Sequence, residues 1–283
     1  MNKEYIKNLG LIVVISTALF ACGGSKEEHG GPVDEEVTTD TLSAEVRTNM
    51  NIIRVSIPSP LLVTKQIAKA GYNYNKGILN PSSKSSGYST KLQAAANLGV
   101  YGADLGYTAG YNQSQDVLEY VAQIGKLAKN VGVEAAFDQG FGKSLNDNIG
   151  KEDTLESVIE GAYEKAERNM KSNARVSSAS IMIAGGWVEG LYIATEAISS
   201  TSSGKDSTNT ELFHTVFNHV YAYSYVINLL SQFKTDADCA KMLEELKPLA
   251  STLGPYAKMP KMKKADIIKI KEYITPVRNK IVN

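Results

Sequence analysis

The sequence predicts an all-α protein, a single-domain helical bundle of about eight helices that follows a signal peptide and a disordered tether. Two observations predict it. From Ser59 onward, apolar residues recur every three or four positions, the period of one helix face, and the segments so marked open on Ser, Thr or Asp. The two-residue alternation of strands is scarce, and no solenoid-type internal repeat is present. The 283 residues divide into 1–21, a leader; 22–48, a tether; and 49–283, the globular domain.

The leader comes first. Lys3 and Lys7 outweigh Glu4, and Leu9 to Ala21 is apolar or small throughout. As a helix this stretch spans about 20 Å, against a bilayer core of about 30 Å, so it fits a signal peptide better than a membrane span. It ends in Leu19-Phe20-Ala21-Cys22, which resembles a lipobox, although Phe20 is larger than the residue usual there. The resemblance implies cleavage before Cys22 and acylation of that residue; the alternative is an ordinary secretory signal followed by a chance Cys. Gly23 stands where an Asp would hold such a protein at the inner membrane, which points to the outer membrane. The run Ser25-Lys26-Glu27-Glu28 resembles a surface-export signal of Bacteroidota-type lipoproteins and fits a solvated tether equally well.

The tether carries Glu27, Glu28, Asp34, Glu35, Glu36, Asp40 and Glu45 against Lys26, with Gly30, Gly31 and Pro32 among them. Such a composition does not fold, and its reach is on the order of 25 Å. The remaining chain is mildly basic, with Lys258, Lys261, Lys263, Lys264, Lys269, Lys271, Arg278 and Lys280 late in the sequence. These lysines suit either contact with an anionic surface or a solvated helix face. Once Cys22 is lipidated, Cys239 is the remaining thiol, so no internal disulfide can form; within a helical stretch it reads as a buried, inert side chain.

In the domain, alternating Ile53, Val55 and Ile57 predict an extended entry, and Ser59-Pro60 opens a helix to about Ala70. Residues 80–87 form a loop. Ser89 or Thr90 starts a long helix to about Asn112, Ser114 caps the next, and Gly132 closes it. A short helix near Val133 to Phe137 precedes an irregular stretch, FGKSLNDNIG. Helices follow over Thr154 to Asn173, Ser178 to Ile198, from Asn209 or Thr210, over Asp236 to Leu253, and from Ala265 onward. Ser178 to Ile198 is apolar on all sides and belongs at the centre; Pro276 is expected to kink or restart the last helix, with Thr275 as a new cap.

Two of these helices are spaced by small residues. Gly99, Gly102, Gly106 and Gly110 fall on one stripe, as do Ala184, Gly186, Gly190 and Ala194. Each interior Gly costs about 1 kcal/mol relative to Ala, which a closely approaching neighbour can offset, so the two helices are expected to pass near the centre and pack together. Each also carries a carboxylate: Asp104 with Tyr107 and Tyr111, and Glu189 with Trp187. Facing one crevice, these five residues would make an acidic, aromatic pocket for a cation, a sugar or acid/base chemistry. Paired with tyrosine hydroxyls, or turned outward, the carboxylates would be structural.

Other motifs fail on inspection. Gly142-Lys143-Ser144 lacks the leading glycine of a phosphate loop, since Phe137 stands there. His214 and His219 are five apart, on different helix faces, and no Zn-type spacing or GxSxG elbow exists, so neither metal nor other cofactor is expected. With the lipobox, the acidic tether, the IPSP motif (57–60) and the Tyr–Gly helix together, the chain resembles helical outer-membrane lipoproteins of the Bacteroidota type. That resemblance implies an envelope location and brings no particular activity. Two functions are open: a non-enzymatic helical interaction or scaffold module, with the membrane and an envelope protein as expected partners and no nucleic acid, or a small-ligand binder using the crevice.

Overall fold

The computed structural model describes residues 56–169, 173–200 and 210–283, together with the isolated positions 48 and 52. The leader, Cys22, the tether and the 201–208 loop lie outside the described residues. The fold is an all-α bundle, with no strand among the described residues.

Helix α1, Pro60–Lys69, starts as the dipeptide demands, the Ser59 hydroxyl accepting from the Leu62 N–H at 3.2 Å. Two 3₁₀ turns then lead to α2, Lys91–Gly110, where Thr90 and Gln93 form a capping box. Helix α3 is Ser114–Asn130, with Ser114 at its first turn rather than at the cap, and Gly132 ends it at φ 74°. Helix α4, Gln139–Asn148, corrects an expectation. The FGKSLNDNIG stretch is helical because the Asp138 carboxylate accepts from the Phe141 N–H at 3.0 Å, and Phe141 and Leu145 bury one turn apart.

Helix α5 is Glu152–Asn169 and α6 is Asn173–Ser199. The expected helix from Thr210 is two, α7 (Thr210–Tyr221) and α8 (Tyr223–Gln232), divided at Ala222. That over 236–253 is also two, α9 (Ala237–Leu246) and α10 (Leu249–Leu253), parted by Pro248. These divisions account for more helices than eight. The last, α11 (Lys264–Val282), runs through Pro276 without restarting, and the Thr275 hydroxyl donates back to the Lys271 carbonyl at 2.8 Å instead of capping. The extended entry at Ile53 and Val55 falls outside the described residues; at Ile52 and Ser56, on either side, the backbone is helical.

Helix α6 is long and apolar enough to cross a membrane by length and composition, yet it is mostly buried within the protein. Its most extensive contact is with α2, and α11 also lies along it, while α1 and α3 pack on α2. The two glycine-spaced helices therefore meet at the centre, as their sequences predict. At the crossing the backbones touch. A Cβ on Gly99 would lie 1.9 Å from the Met182 carbonyl oxygen, and one on Gly185 would lie 2.1 Å from that of Ala96. The lower part of the same α2 stripe serves another neighbour: Gly106 abuts Pro60, and Gly110 abuts Thr64, both of α1. On α6 the small residues divide likewise, Gly186 facing Gly99 while Gly190 makes room for His219 of α7.

Candidate functional site

Asn97, Tyr101 and Asp104 follow one another at four and three positions, so α2 presents them as a row turned away from its glycine stripe. This row meets α6 and the end of α11 in a wholly buried polar cluster. Glu189 of α6 is gripped by the Arg278 guanidinium of α11, Nε donating to Oε2 and Nη2 to Oε1, both at 2.9 Å. Arg278 also lies over the Tyr192 ring, its Cζ 4.6 Å from the centroid. Both Asp104 and Glu189 are 0% exposed.

Two carboxyl groups beside one guanidinium cannot both ionise cheaply. Burial and the Glu189 charge push Asp104 well above the ordinary carboxylate range. Burial pushes Glu189 upward as well, against which the Arg278 fork holds it in the charged form. The proton therefore belongs to Asp104. Its Oδ2 accepts from the Asn80 N–H at 3.3 Å, and its Oδ1 has no donor to accept from. A protonated Oδ1 instead becomes a donor, beside the Glu189 charge that helps hold its proton.

A ring of polar groups closes the cluster. Asn80 Nδ2 donates to the Tyr88 hydroxyl at 3.0 Å and to Asn97 Oδ1 at 3.3 Å. The Tyr120 hydroxyl donates to the Asn80 carbonyl at 2.9 Å, and that of Tyr101 to the Pro81 carbonyl at 2.8 Å. Asn97 Nδ2 reaches the Ile281 carbonyl at 2.9 Å, and the Tyr88 hydroxyl the Val282 carbonyl at 3.0 Å, which fixes the last turn of α11 against α2. Proton retention has a consequence for stability. An unfolded Asp ionises near pH 4, so with its folded value raised, stability contributed by the Asp104 proton falls as pH rises. Asp104→Asn keeps the shape and a donor while removing the proton, so denaturant titrations are expected to show its stability rising relative to wild type between about pH 5 and 8. A constant difference across that range would refute the assignment.

The remaining predicted site residues lie apart. Trp187 faces α7: its Nε1–H donates to the His219 carbonyl at 2.8 Å, and His219 Nε2–H returns a bond to the Trp187 carbonyl at 2.8 Å. The carbonyl fixes the proton on Nε2, leaving Nδ1 buried without a partner. Burial pulls His219 down to about 4. Below the unfolded value of about 6.5 the unfolded chain takes up a proton that the folded one refuses, so stability is expected to drop by about 3 kcal/mol between about pH 6.5 and 4. Replacing His219 with Gln should flatten that acid slope in denaturation curves, and an unchanged slope would contradict it. Tyr107 stacks on Tyr74 instead, and Tyr111 packs tilted against it, with centroids at 5.4 and 5.6 Å. The Tyr107 hydroxyl accepts from the Asn75 N–H at 3.0 Å, and that of Tyr111 donates to the Tyr72 carbonyl at 2.7 Å.

The structure thus brings Asp104 and Glu189 together and disperses the three aromatics named with them. Arg278, the cation of the site, was readable from sequence only as one of many late basic residues. The signal lay in register: it follows Ile267, Ile270 and Ile274 on the buried face, and is only 7% exposed. Cys239 is buried, its thiol donating to the Ser177 carbonyl at 3.4 Å, and burial pushes it up to about 12, far from thiolate chemistry. Among the described residues, no group of three or more His, Cys, Asp or Glu side chains is placed to hold a metal ion. No protein-family model, no curated protein and no solved structure matches the chain.

Proposed function

We propose that the chain is a lipid-anchored cell-envelope protein whose helical domain works without catalysis, as a module that engages a protein partner or steadies a membrane-associated assembly. One observation carries the preference for a module over an enzyme or receptor. The strongest acid–base chemistry in the domain, Asp104 and Glu189, is 0% exposed and engaged by Asn80 and Arg278. Groups committed to one another across three helices organise a core and are withheld from a substrate. The anchor is supported by the sequence alone: Lys3 and Lys7, the apolar stretch to Ala21, and Cys22. The outer membrane, on its periplasmic or external face, is the location these features favour.

Intact-mass spectrometry of native protein tests the anchor. The expected chain begins at Cys22 and carries acyl groups; an unmodified thiol there, or a retained leader, overturns it. Capture of the lipidated protein from solubilised envelopes tests the module, with a stoichiometric partner expected and its absence counting against the reading. A second reading, a small-ligand receptor, has the convergence of Asp104 and Glu189 in its favour. It requires the α2–α6 seam to open. A sugar or cation that raises the Tm of wild type and not of Asp104→Asn would favour it.

A further inference from the structure

The outer face of α7 and α8 carries an unbroken row of rings. His214, Phe217, Tyr221 and Tyr225 succeed one another at three or four residues, with centroid separations of 5.8, 6.0 and 6.0 Å, and the row crosses the division at Ala222. His214 is exposed, Phe217 and Tyr225 are half-buried, and Tyr221 is 49% exposed. Helix α7 also packs against the turn Tyr256–Lys258, which brings the lysine-rich connection to α11 beside it. That connection holds Met259, 37% exposed, and the exposed Lys258, Lys261 and Lys263.

The late lysines sort into two kinds. Lys269, Lys271 and Lys280 are bound to Glu272, Glu196 and Glu245, each within 2.8 Å. Lys258, Lys261 and Lys263 form no ion pair among the described residues, and no acidic residue stands between Tyr256 and Lys264. Of the carboxylates on either side, Glu211 of α7 faces Lys69 at 3.5 Å, and Asp266 is held by the Lys263 backbone N–H at 2.7 Å.

We propose that this aromatic–lysine face is where the domain rests on an anionic lipid surface. Three features choose lipid over the other occupants of an exposed aromatic face. Unpaired lysines are depleted from protein interfaces and favoured beside acidic headgroups. Tyrosine rings, apolar with a polar tip, suit the headgroup level. A sugar would use the rings and leave three cations idle. Each lysine near an anionic surface strengthens association by a factor of roughly five, so the three together supply on the order of a hundredfold. The inference rests on the anchored reading for the bilayer to be within reach.

The test uses the lipidated full chain carrying Tyr221→Trp, reconstituted in vesicles whose acyl chains bear bromine, a contact quencher of indole. Trp187 is the chain's one tryptophan and is 1% exposed, so it serves as an unquenched internal reference. Quenching of the new indole is expected in phosphatidylglycerol-containing vesicles and not in pure phosphatidylcholine. It should be lost in high salt and on adding K258E, K261E and K263E, with far-UV circular dichroism unchanged. A chain that floats with both vesicle types yet is quenched in neither overturns the docking face and leaves the anchor standing. A chain that floats with neither overturns both.

Discussion

Gly99→Ala is expected to lose at least about 3 kcal/mol of stability, and Gly161→Ala to gain about 0.5–1 kcal/mol, in paired denaturant titrations. The chemistry of the two changes is the same: each adds a methyl group and removes the helix penalty of glycine. The surroundings differ. At Gly99 the methyl would sit 1.9 Å from the Met182 carbonyl oxygen and 2.7 Å from the Gly186 nitrogen, both backbone atoms of α6. Backbone cannot rotate aside as a side chain does, so the helices must part, and dispersion along the whole seam is lost. At Gly161 nothing lies within 4 Å, and the residue is exposed on α5. A loss below about 1 kcal/mol at Gly99 would mean that α2 and α6 do not touch there.

Arg278→Met is expected to be costlier still at high pH. It leaves Glu189 without the guanidinium that holds its charge, and stripping one partner from a buried pair typically costs 3–5 kcal/mol. Deprived of Arg278, Glu189 must keep a proton to stay buried. Its folded value, already raised by burial, then rises further, and stability falls more steeply as pH increases, so the loss is expected to be smaller at about pH 5 than at about pH 8. Pairing Arg278→Met with Glu189→Gln removes the stranded charge and should recover most of the loss, giving strong non-additivity in the double-mutant cycle. Additive losses would show that the two side chains act independently.

Much of the helical framework was legible because caps and periodicity act locally. Ser59, Thr90 and Gly132 stop and start helices by bonds to their own neighbours, and these positions read correctly. Where a local signal competes with distant contacts, sequence reading fails. Pro276 removes a backbone donor and predicts a break, yet Ile274 and Val277 on either side are buried and Arg278 is locked to Glu189, so tertiary anchorage carries the helix through. Helix α4 was missed because its cap, Asp138, lies before a glycine-rich run that reads as loop.

The glycine stripes announced close packing but not its partners. One row on α2 serves α6 at Gly99 and α1 at Gly106 and Gly110, and nothing local distinguishes these positions. The meeting of Asp104 with Glu189 was not fixed by that packing, since Asp104 lies off the glycine stripe, and neither was the scattering of Tyr107, Tyr111 and Trp187, because a helix sends adjacent residues to different neighbours. Arg278 belongs to a third helix, and which helix would lie along α6 is a long-range fact.

The cation that Glu189 needs follows it by 89 residues in the chain. During synthesis, α2 and α6 emerge while the acid between them still lacks its counter-ion. Their glycine surfaces can meet early, but the seam is neutralised only when α11 arrives, so tight closure is deferred to a late stage of assembly. The middle of the bundle is therefore the last part to set, once the final helix of the chain has been made.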